Sequence, residues 1–190
     1  MSRAYRIRVR ESLRRVLRAS DHVRTELELL EILPPEQMAA LLAEELERRG
    51  FVKQGPSLVR KEQGIQIRVE PATGVVTVEA ESQEQVDLKA EKNVIADTDQ
   101  GRKLASETRK AAENALRQGL EREATKKAGE LQKKVTERLE GRLDDLRKEL
   151  DQAVNRVTAE ALKRRAAQIG QIKEMTEDPQ SGGLTIVVEV

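Results

Sequence analysis

Residues 116–157 read LRQGLEREATKKAGELQKKVTERLEGRLDDLRKELDQAVNRV. Apolar side chains recur here every three or four residues and cover 41 residues in 11 steps, a mean of about 3.7. We name this series the apolar stripe; it consists of Leu116, Leu120, Ala124, Ala128, Leu131, Val135, Leu139, Leu143, Leu146, Leu150, Val154 and Val157. A continuous α-helix keeps side chains at this spacing on one side. The stripe therefore predicts one long helix over residues 104–168.

A narrow apolar stripe on an otherwise charged helix is typical of coiled coils, in which a second helix covers the stripe. We therefore predict that the chain forms a homo-oligomer through this helix. The predicted oligomer interface consists of Leu116, Leu120, Leu131, Val135, Leu139, Leu143, Leu146, Leu150, Val154 and Val157.

The sequence before residue 33 alternates apolar and polar side chains. Residues 4–10 and 23–30 each have the period of two that indicates a half-buried strand. Residues 20–22, Ser-Asp-His, are typical of a turn. We predict a long hairpin here, in which residues 11–19 form either a short helix or a continuation of the first strand.

A helix and three short strands follow this hairpin. Pro35 stands where a helix tolerates proline, and Gly50 is a typical helix end. Short apolar runs at 58–59, 65–69 and 76–78 predict strands, and the Pro-Ala-Thr-Gly sequence at 71–74 predicts the turn between the last two. Residues 1–80 thus predict a small antiparallel sheet with one covering helix.

The predicted fold class is α+β, with four segments. Residues 1–80 are the α+β domain, residues 81–100 a linker or strand extension, residues 101–170 the long coiled-coil-like helix, and residues 171–190 a C-terminal β-hairpin. An isolated hairpin is marginally stable in water, so we expect it to dock on a β domain. The uninterrupted stripe argues against a helix that folds back, so we expect the last strand to join the sheet of a second copy.

The composition argues against most kinds of active site. The chain has 190 residues, a net charge of +1, one His and no Cys. It therefore has no thiolate ligand or Cys nucleophile, and one His is too few for a typical zinc site. The glycines follow neither the Walker nor the Rossmann pattern. We predict no catalytic, metal-binding or cofactor-binding residues, no cofactor and no enzymatic activity.

The sequence also lacks the usual signals for a membrane. No run approaches the about 18 apolar residues of a spanning helix. The first 20 residues carry seven Arg and no apolar core, which excludes a typical secretory signal. We expect a cytoplasmic protein without membrane partners.

Arginine is concentrated near the start of the chain. The candidate polyanion-binding residues are Arg6, Arg8, Arg10, Arg14 and Arg15. A basic strand face can follow a row of phosphates. The alternative is a ladder of cross-strand ion pairs, with Glu26 and Glu28 as the acidic partners on the next strand. We favour the ladder because the chain has almost no aromatic side chains on which bases could stack, and we do not expect a nucleic-acid partner.

Both ends of the chain carry a family resemblance. Residues 1–9, the LELLEILPPE junction at 27–36, and residues 157–162, 178–179 and 184–190 resemble the small accessory proteins of bacterial FtsH ternary systems. The gene neighbourhoods of these systems also encode a MoxR-type AAA+ ATPase and a von Willebrand factor A protein. The resemblance implies an ATPase-linked assembly in conflict or stress response, with those two proteins as partners, and it supplies no functional residues.

These observations predict a non-enzymatic assembly or adaptor protein that self-associates through its long helix and presents a β domain to partner proteins. One alternative is a nucleic-acid-binding module that uses the N-terminal Arg face and the basic helix. Another is an enzyme without a familiar motif. A steep salt dependence of nucleic-acid binding would favour the first alternative, and a deep pocket with converging ionisable groups would favour the second.

Overall fold

The computed structural model describes residues 4–97, 101–177 and 184–189. Its elements follow in the order β1 (Ala4–Glu26), α1 (Pro35–Arg48), β2 (Val52–Gln54), β3 (Ser57–Glu62), β4 (Ile65–Glu70), β5 (Val75–Asp97), α2 (Gly101–Ile169), β6 (Gln171–Glu177) and β7 (Leu184–Glu189). One sheet has the strand order β1-β5-β4-β3-β2, and β6 pairs with β7. The predicted α+β class is confirmed. Linker residues 98–100, the predicted turn at 178–183 and Val190 lie outside the described residues.

The chain divides into two compact units that combine segments distant in sequence. Unit 1 consists of Met1–Ser20 and Glu81–Thr136, and unit 2 consists of Asp21–Ala80 and Glu137–Val190. Each unit therefore contains part of β1, β5 and α2. The predicted segments follow the order of elements along the chain, whereas the compact units follow the pairing of strands.

The sheet of unit 2 has one face that is mostly apolar. β3, β4 and β5 are antiparallel, and one row of the register runs from Arg60 to Ile67 to Val78. The side chains on this face that are at most 2% exposed are Leu58, Ile67, Val69, Val76, Val78 and Ala80. Arg60 shares this face and reaches α2. The helical layer of unit 2 therefore covers the apolar face, as the alternating sequence requires.

The turn between β4 and β5 is the predicted one at residues 71–74. The N–H of Gly74 donates to the carbonyl of Glu70 at 2.8 Å, and Gly74 has a φ of +71°. The backbone of Leu27 lies against this turn, because its N–H donates to the Gly74 carbonyl at 2.8 Å. A Cβ at Gly74 would come within 3.0 Å of the Leu27 carbonyl oxygen. Glycine is therefore required here both by its φ and by this close approach.

The helix predicted between Pro35 and Gly50 is confirmed as α1. Pro35 begins it, and Met38 donates its N–H to the carbonyl of Pro34 at 3.1 Å. At the other end, Gly50 has a φ of +84°. The N–H groups of Gly50 and Phe51 donate to the carbonyls of Glu47 and Leu46 at 3.0 and 3.1 Å. This is a Schellman motif, which satisfies carbonyls that a helix end otherwise leaves unpaired.

The predicted hairpin at the start of the chain is wrong, because β1 is one strand from Ala4 to Glu26. Its neighbour in the sheet is β5. Ser20, in the predicted turn, has an extended backbone, and its carbonyl accepts a hydrogen bond from Gln132 Nε2 at 3.0 Å. The side chains of residues 20–22 favour a turn locally, but the hydrogen bonds and packing gained by pairing with another strand outweigh this preference. Residues 11–19 continue the strand, as one of the two alternatives proposed.

Of the two alternatives proposed for residues 81–100, a linker or a strand extension, the described residues take the second, because β5 continues to Asp97. Residues 81–97 thus extend the strand. Along the unit 1 part of β5, Val86 and Leu88 are buried. The exposed, polar residues between and beyond them resemble a linker in sequence, but they belong to a strand with one solvated face.

The long helix is confirmed as α2, which runs without interruption over 69 residues. The sequence identified it because the stripe keeps one face apolar over residues 116–157. The surface that covers the apolar stripe differs from the predicted second helix. In unit 1, Gln132 of α2 bonds to β1, and in unit 2 Glu149 of α2 bonds to β3. The sheet of the same chain therefore lies under the helix, in place of a second helix.

The C-terminal hairpin is confirmed, with Met175 opposite Ile186 and a bulge between Ile172 and Glu174. Within the chain, β7 pairs with β6 in a separate two-stranded sheet and does not join the five-stranded sheet. Its apolar residues are half-buried at Ile186 and exposed at Val187. Addition of β7 to the sheet of a second copy stays a prediction.

A further property concerns membranes. In the part of the chain that the structure describes, no helix combines the length and apolar character needed to cross a bilayer.

Candidate functional site

The structure places the predicted oligomer interface mostly inside the single chain. The members that are at most 5% exposed are Leu120, Leu131, Val135, Leu139, Leu146, Leu150 and Val157. The half-buried members are Leu116, Leu143 and Val154. A side chain that its own chain has removed from solvent gains nothing from a second helix. The expected reason for self-association is therefore corrected, while self-association itself stays a prediction.

The candidate polyanion residues whose side chains are described are each paired with a carboxylate. Arg8 and Arg10 contact the two oxygens of Glu91 at 2.9 and 2.8 Å. Arg14 contacts Asp87 at 2.9 Å. These pairs form a cross-strand ladder, and a step of four residues up β1 matches a step of four down β5, as antiparallel strands require. The side chain of Arg6 lies outside the described part of the structure.

The ladder confirms the kind of pairing expected but corrects its partners. The acids belong to β5, and Arg15 pairs with Glu121 of α2 at 3.1 Å, so Glu26 and Glu28 are not the partners of these arginines. These Arg side chains are 54–74% exposed, so each pair stabilises the fold by at most about 1 kcal/mol. The pairs set a carboxylate beside each guanidinium and thereby weaken the attraction of this strand face for a polyanion. No finding favours nucleic-acid binding.

The most enclosed charged cluster lies in unit 2, where β3 meets α2. Arg60 and Glu149 form a two-point pair, with Nη1 2.6 Å and Nη2 2.8 Å from the two carboxylate oxygens. Their side chains are 14% and 24% exposed. A parallel pair of bonds between guanidinium and carboxylate fixes both distance and orientation. This pair therefore sets the position of α2 on the sheet of unit 2.

Further groups complete the cluster around Arg60. Its Nη1 also donates to the carbonyl of Arg49 at 3.0 Å, and its guanidinium lies 4.6 Å from the centroid of the Phe51 ring. Among the described residues, Arg60 Nε has no hydrogen-bond partner, although it lies 3.6 Å from a carboxylate oxygen of Glu62. Arg142 of α2 donates its Nε to Glu62 at 2.7 Å. Two arginine–glutamate pairs thus join β3 to α2.

The end of α1 is tied to the same place. Arg49 donates its Nε to Glu45 at 2.8 Å and its Nη1 to the backbone carbonyl of Glu149 at 3.1 Å. The side chain of Glu45 is 5% exposed, so its charge needs this partner. We name Glu45, Arg49, Arg60, Glu62, Arg142 and Glu149 the junction cluster. It fastens α1, β3 and α2 together within unit 2.

The comparisons with known proteins give one family. The model of the FtsH ternary system domain X5 matches residues 1–190. The chain belongs to this family. The search of curated proteins and the search of solved structures each found no match. This membership confirms the part of the resemblance that concerns the FtsH ternary systems themselves.

The electrostatics of the junction cluster keep the Arg60–Glu149 pair charged. The hydrogen bond from Arg60 lowers the pKa of the Glu149 carboxyl, which burial alone would raise. The charges of Arg60, Arg49 and Arg142 lower it further. The same hydrogen bond raises the pKa of Arg60. Both shifts favour the ionised forms, so the pair is a fixed ion pair rather than a proton donor and acceptor.

The pKa of Glu149 predicts an acid-sensitive fold. A lowered pKa in the folded state means that the pair stabilises the fold fully above the ordinary Glu value of about 4.3 and loses this effect as the pH falls through the lowered value. We expect the free energy of unfolding to drop more steeply below about pH 4 in the wild type than in Glu149→Gln. Urea unfolding followed by circular dichroism at several pH values measures this. Glu140→Gln, at an exposed position of α2, should follow the wild type; parallel curves for Glu149→Gln and the wild type would contradict the assignment.

The sequence contained a weak signal for the junction cluster. Arg60 falls on the apolar face of its strand, two residues after Leu58, where a charged residue needs a partner. Glu149 directly precedes Leu150 of the stripe. Neither position identifies the other, because 89 residues separate them. Among the described residues, no three His, Cys, Asp or Glu side chains are grouped so as to hold a metal ion.

Proposed function

We propose that this X5 domain is a non-enzymatic assembly or adaptor component of an FtsH ternary system and acts in the cytoplasm. The observation that carries the proposal is the family match over the whole chain, because the family name refers to a system of several proteins. The MoxR-type ATPase and the von Willebrand factor A protein implied by the sequence resemblance are the proposed partners. A second copy of the chain is also a proposed partner.

The chemistry of the junction cluster supports a structural rather than a catalytic role. A general acid or base needs a pKa near the working pH. The shifts at Arg60 and Glu149 go the other way, since each moves the pKa away from neutrality. The hydrogen bonds between these two groups hold α2 against β3.

The surface proposed for presentation to a partner is the edge strand β2. It is the last strand in the order of the described sheet, and its residues Val52, Lys53 and Gln54 are all exposed. Val52 is 64% exposed, although strands usually turn valine inward. An edge strand offers unpaired backbone groups to an added strand, and an exposed apolar side chain adds contact area. Self-association, where it occurs, uses exposed surface of this kind, since the stripe is covered.

Affinity capture with the tagged chain tests this proposal. We expect the MoxR-type ATPase or the von Willebrand factor A protein to be recovered from cells that express the whole system. Val52→Lys should lower that recovery by about tenfold, equivalent to about 1.4 kcal/mol. The matched control is Ile95→Lys, because Ile95 is 69% exposed and lies in unit 1. Recovery of neither protein by the wild type would refute the proposed function, and equal losses in both variants would refute the role of β2.

A further inference from the structure

A groove between two helices of unit 2 has the features of a binding site. α1 and the later part of α2 enclose about 470 Å³. Leu41 and Val157 belong to its lining and are almost fully buried, with Ala159 beside them. The floor is therefore apolar in part and lies between two helices that the junction cluster holds in place.

The groove carries an excess of guanidinium groups around one buried carboxylate. Arg49 already provides Glu45 with a hydrogen bond at 2.8 Å. Arg48 and Arg156 approach the same carboxylate only to 3.6 and 3.8 Å, which is beyond hydrogen-bond distance. Their side chains are 71% and 73% exposed. These two guanidinium groups therefore keep most of their donors available to a ligand.

The remaining charges of the groove leave a positive balance. Arg164 is 3.4 Å from Glu160, so these two charges offset one another. Lys163 also belongs to the lining. It joins Arg48 and Arg156 as a third cation, against the exposed carboxylate of Glu44.

We propose that the α1–α2 groove binds an acidic, partly aliphatic peptide segment of a partner protein. This rests on the proposed adaptor function and names the chemistry of one partner. Guanidinium groups pair with carboxylates through parallel hydrogen bonds, and the apolar floor accepts an aliphatic side chain between them. The occupant is a protein segment, because the groove combines this apolar floor with separated cations, whereas a nucleic acid needs a continuous basic surface and stacking side chains.

Fluorescence anisotropy with the full chain tests the groove. The probe is a short fluorescein-labelled peptide of alternating glutamate and leucine. We expect saturable binding that Arg48→Gln combined with Arg156→Gln weakens by at least about tenfold. The matched control is Arg138→Gln combined with Arg147→Gln, because both residues are exposed on α2 in unit 2, lie outside the groove lining and carry the same total charge. We expect this control to bind within about twofold of the wild type.

Second measurements separate the groove from general attraction to charge. Lys163→Glu alone should also weaken binding, and thermal melting verifies that each variant is folded. Equal losses in the groove and control variants, or equal binding of a lysine–leucine peptide, would overturn the proposal. So would binding of a single-stranded oligonucleotide that depends on Arg48 and Arg156 as strongly as peptide binding does. If the wild type captures a system protein but does not bind the acidic peptide, the groove proposal fails and the adaptor function stands.

Discussion

Leu146→Asp is expected to destabilise the chain by about 4 kcal/mol or more, which is a large part of the stability of an ordinary domain. Leu146 is 2% exposed and lies on the apolar stripe in unit 2. The change removes apolar contacts and places a carboxylate where the single chain excludes water. Urea unfolding followed by circular dichroism measures the loss. A fall of at least about 8–16 °C in the melting temperature is the expected result for a domain of this size.

Lys148→Asp is the control for this change, because Lys148 is an exposed residue on the same turn of α2. We expect a shift within about 0.5 kcal/mol. Light scattering on the same samples distinguishes the two roles of the stripe. If the stripe packs on the sheet of its own chain, Leu146→Asp unfolds the chain. If the stripe packs on a second copy, Leu146→Asp lowers the mass of the particle in solution while the helix content stays the same. The second result would restore the oligomer interface predicted from the sequence.

Removal of Glu149 is expected to cost about 3 kcal/mol, because it leaves the guanidinium of Arg60 enclosed without its carboxylate. The loss corresponds to a fall of about 6–12 °C in the melting temperature of a domain of this size. The variant is Glu149→Ala, and differential scanning calorimetry measures the change. Glu140→Ala, at an exposed position of the same helix, should stay within about 0.5 kcal/mol of the wild type.

A double variant tests the cause of that loss. Arg60→Met combined with Glu149→Leu removes both charges and keeps similar side-chain volumes, so we expect it to recover most of the stability lost in Glu149→Ala. If the double variant is no better than Glu149→Ala, the loss comes from packing rather than from an unpaired charge. If Glu149→Ala costs no more than Glu160→Ala, whose partner Arg164 is 46% exposed, the junction cluster does not hold the helix in place.

The sequence predicted those elements that depend on residues near one another in the chain. The turn at residues 71–74 follows from a proline and a glycine three positions apart, and α1 follows from Pro35 and Gly50 at its ends. The 69-residue α2 follows from the stripe, whose apolar residues stay on one side of the helix over many turns. In each case the deciding energies are local: backbone preferences, end effects and the period of the apolar face.

The misread segments depend on a partner distant in sequence. The Ser-Asp-His at residues 20–22 is turn-like by composition, yet β1 stays extended beside β5. The sequence left residues 81–100 as either a linker or a strand extension, and residues 81–97 belong to β5. An edge strand with one solvated face differs little from a linker in sequence, because only alternate side chains need to be apolar. Whether such a segment forms a strand is decided by pairing with a neighbouring strand.

The sequence by itself predicted that α2 is long and that one of its faces is buried, and it favoured acidic partners for the arginines of the first strand. The tertiary structure decided what covers the stripe and which acids pair with Arg10, Arg14 and Arg60. The physical reason is that the hydrophobic effect and Coulomb attraction specify the kind of neighbour a residue needs, an apolar surface or an opposite charge, and not its position in the chain. Arg60 and Glu149 meet across 89 residues only because β3 and α2 pack together.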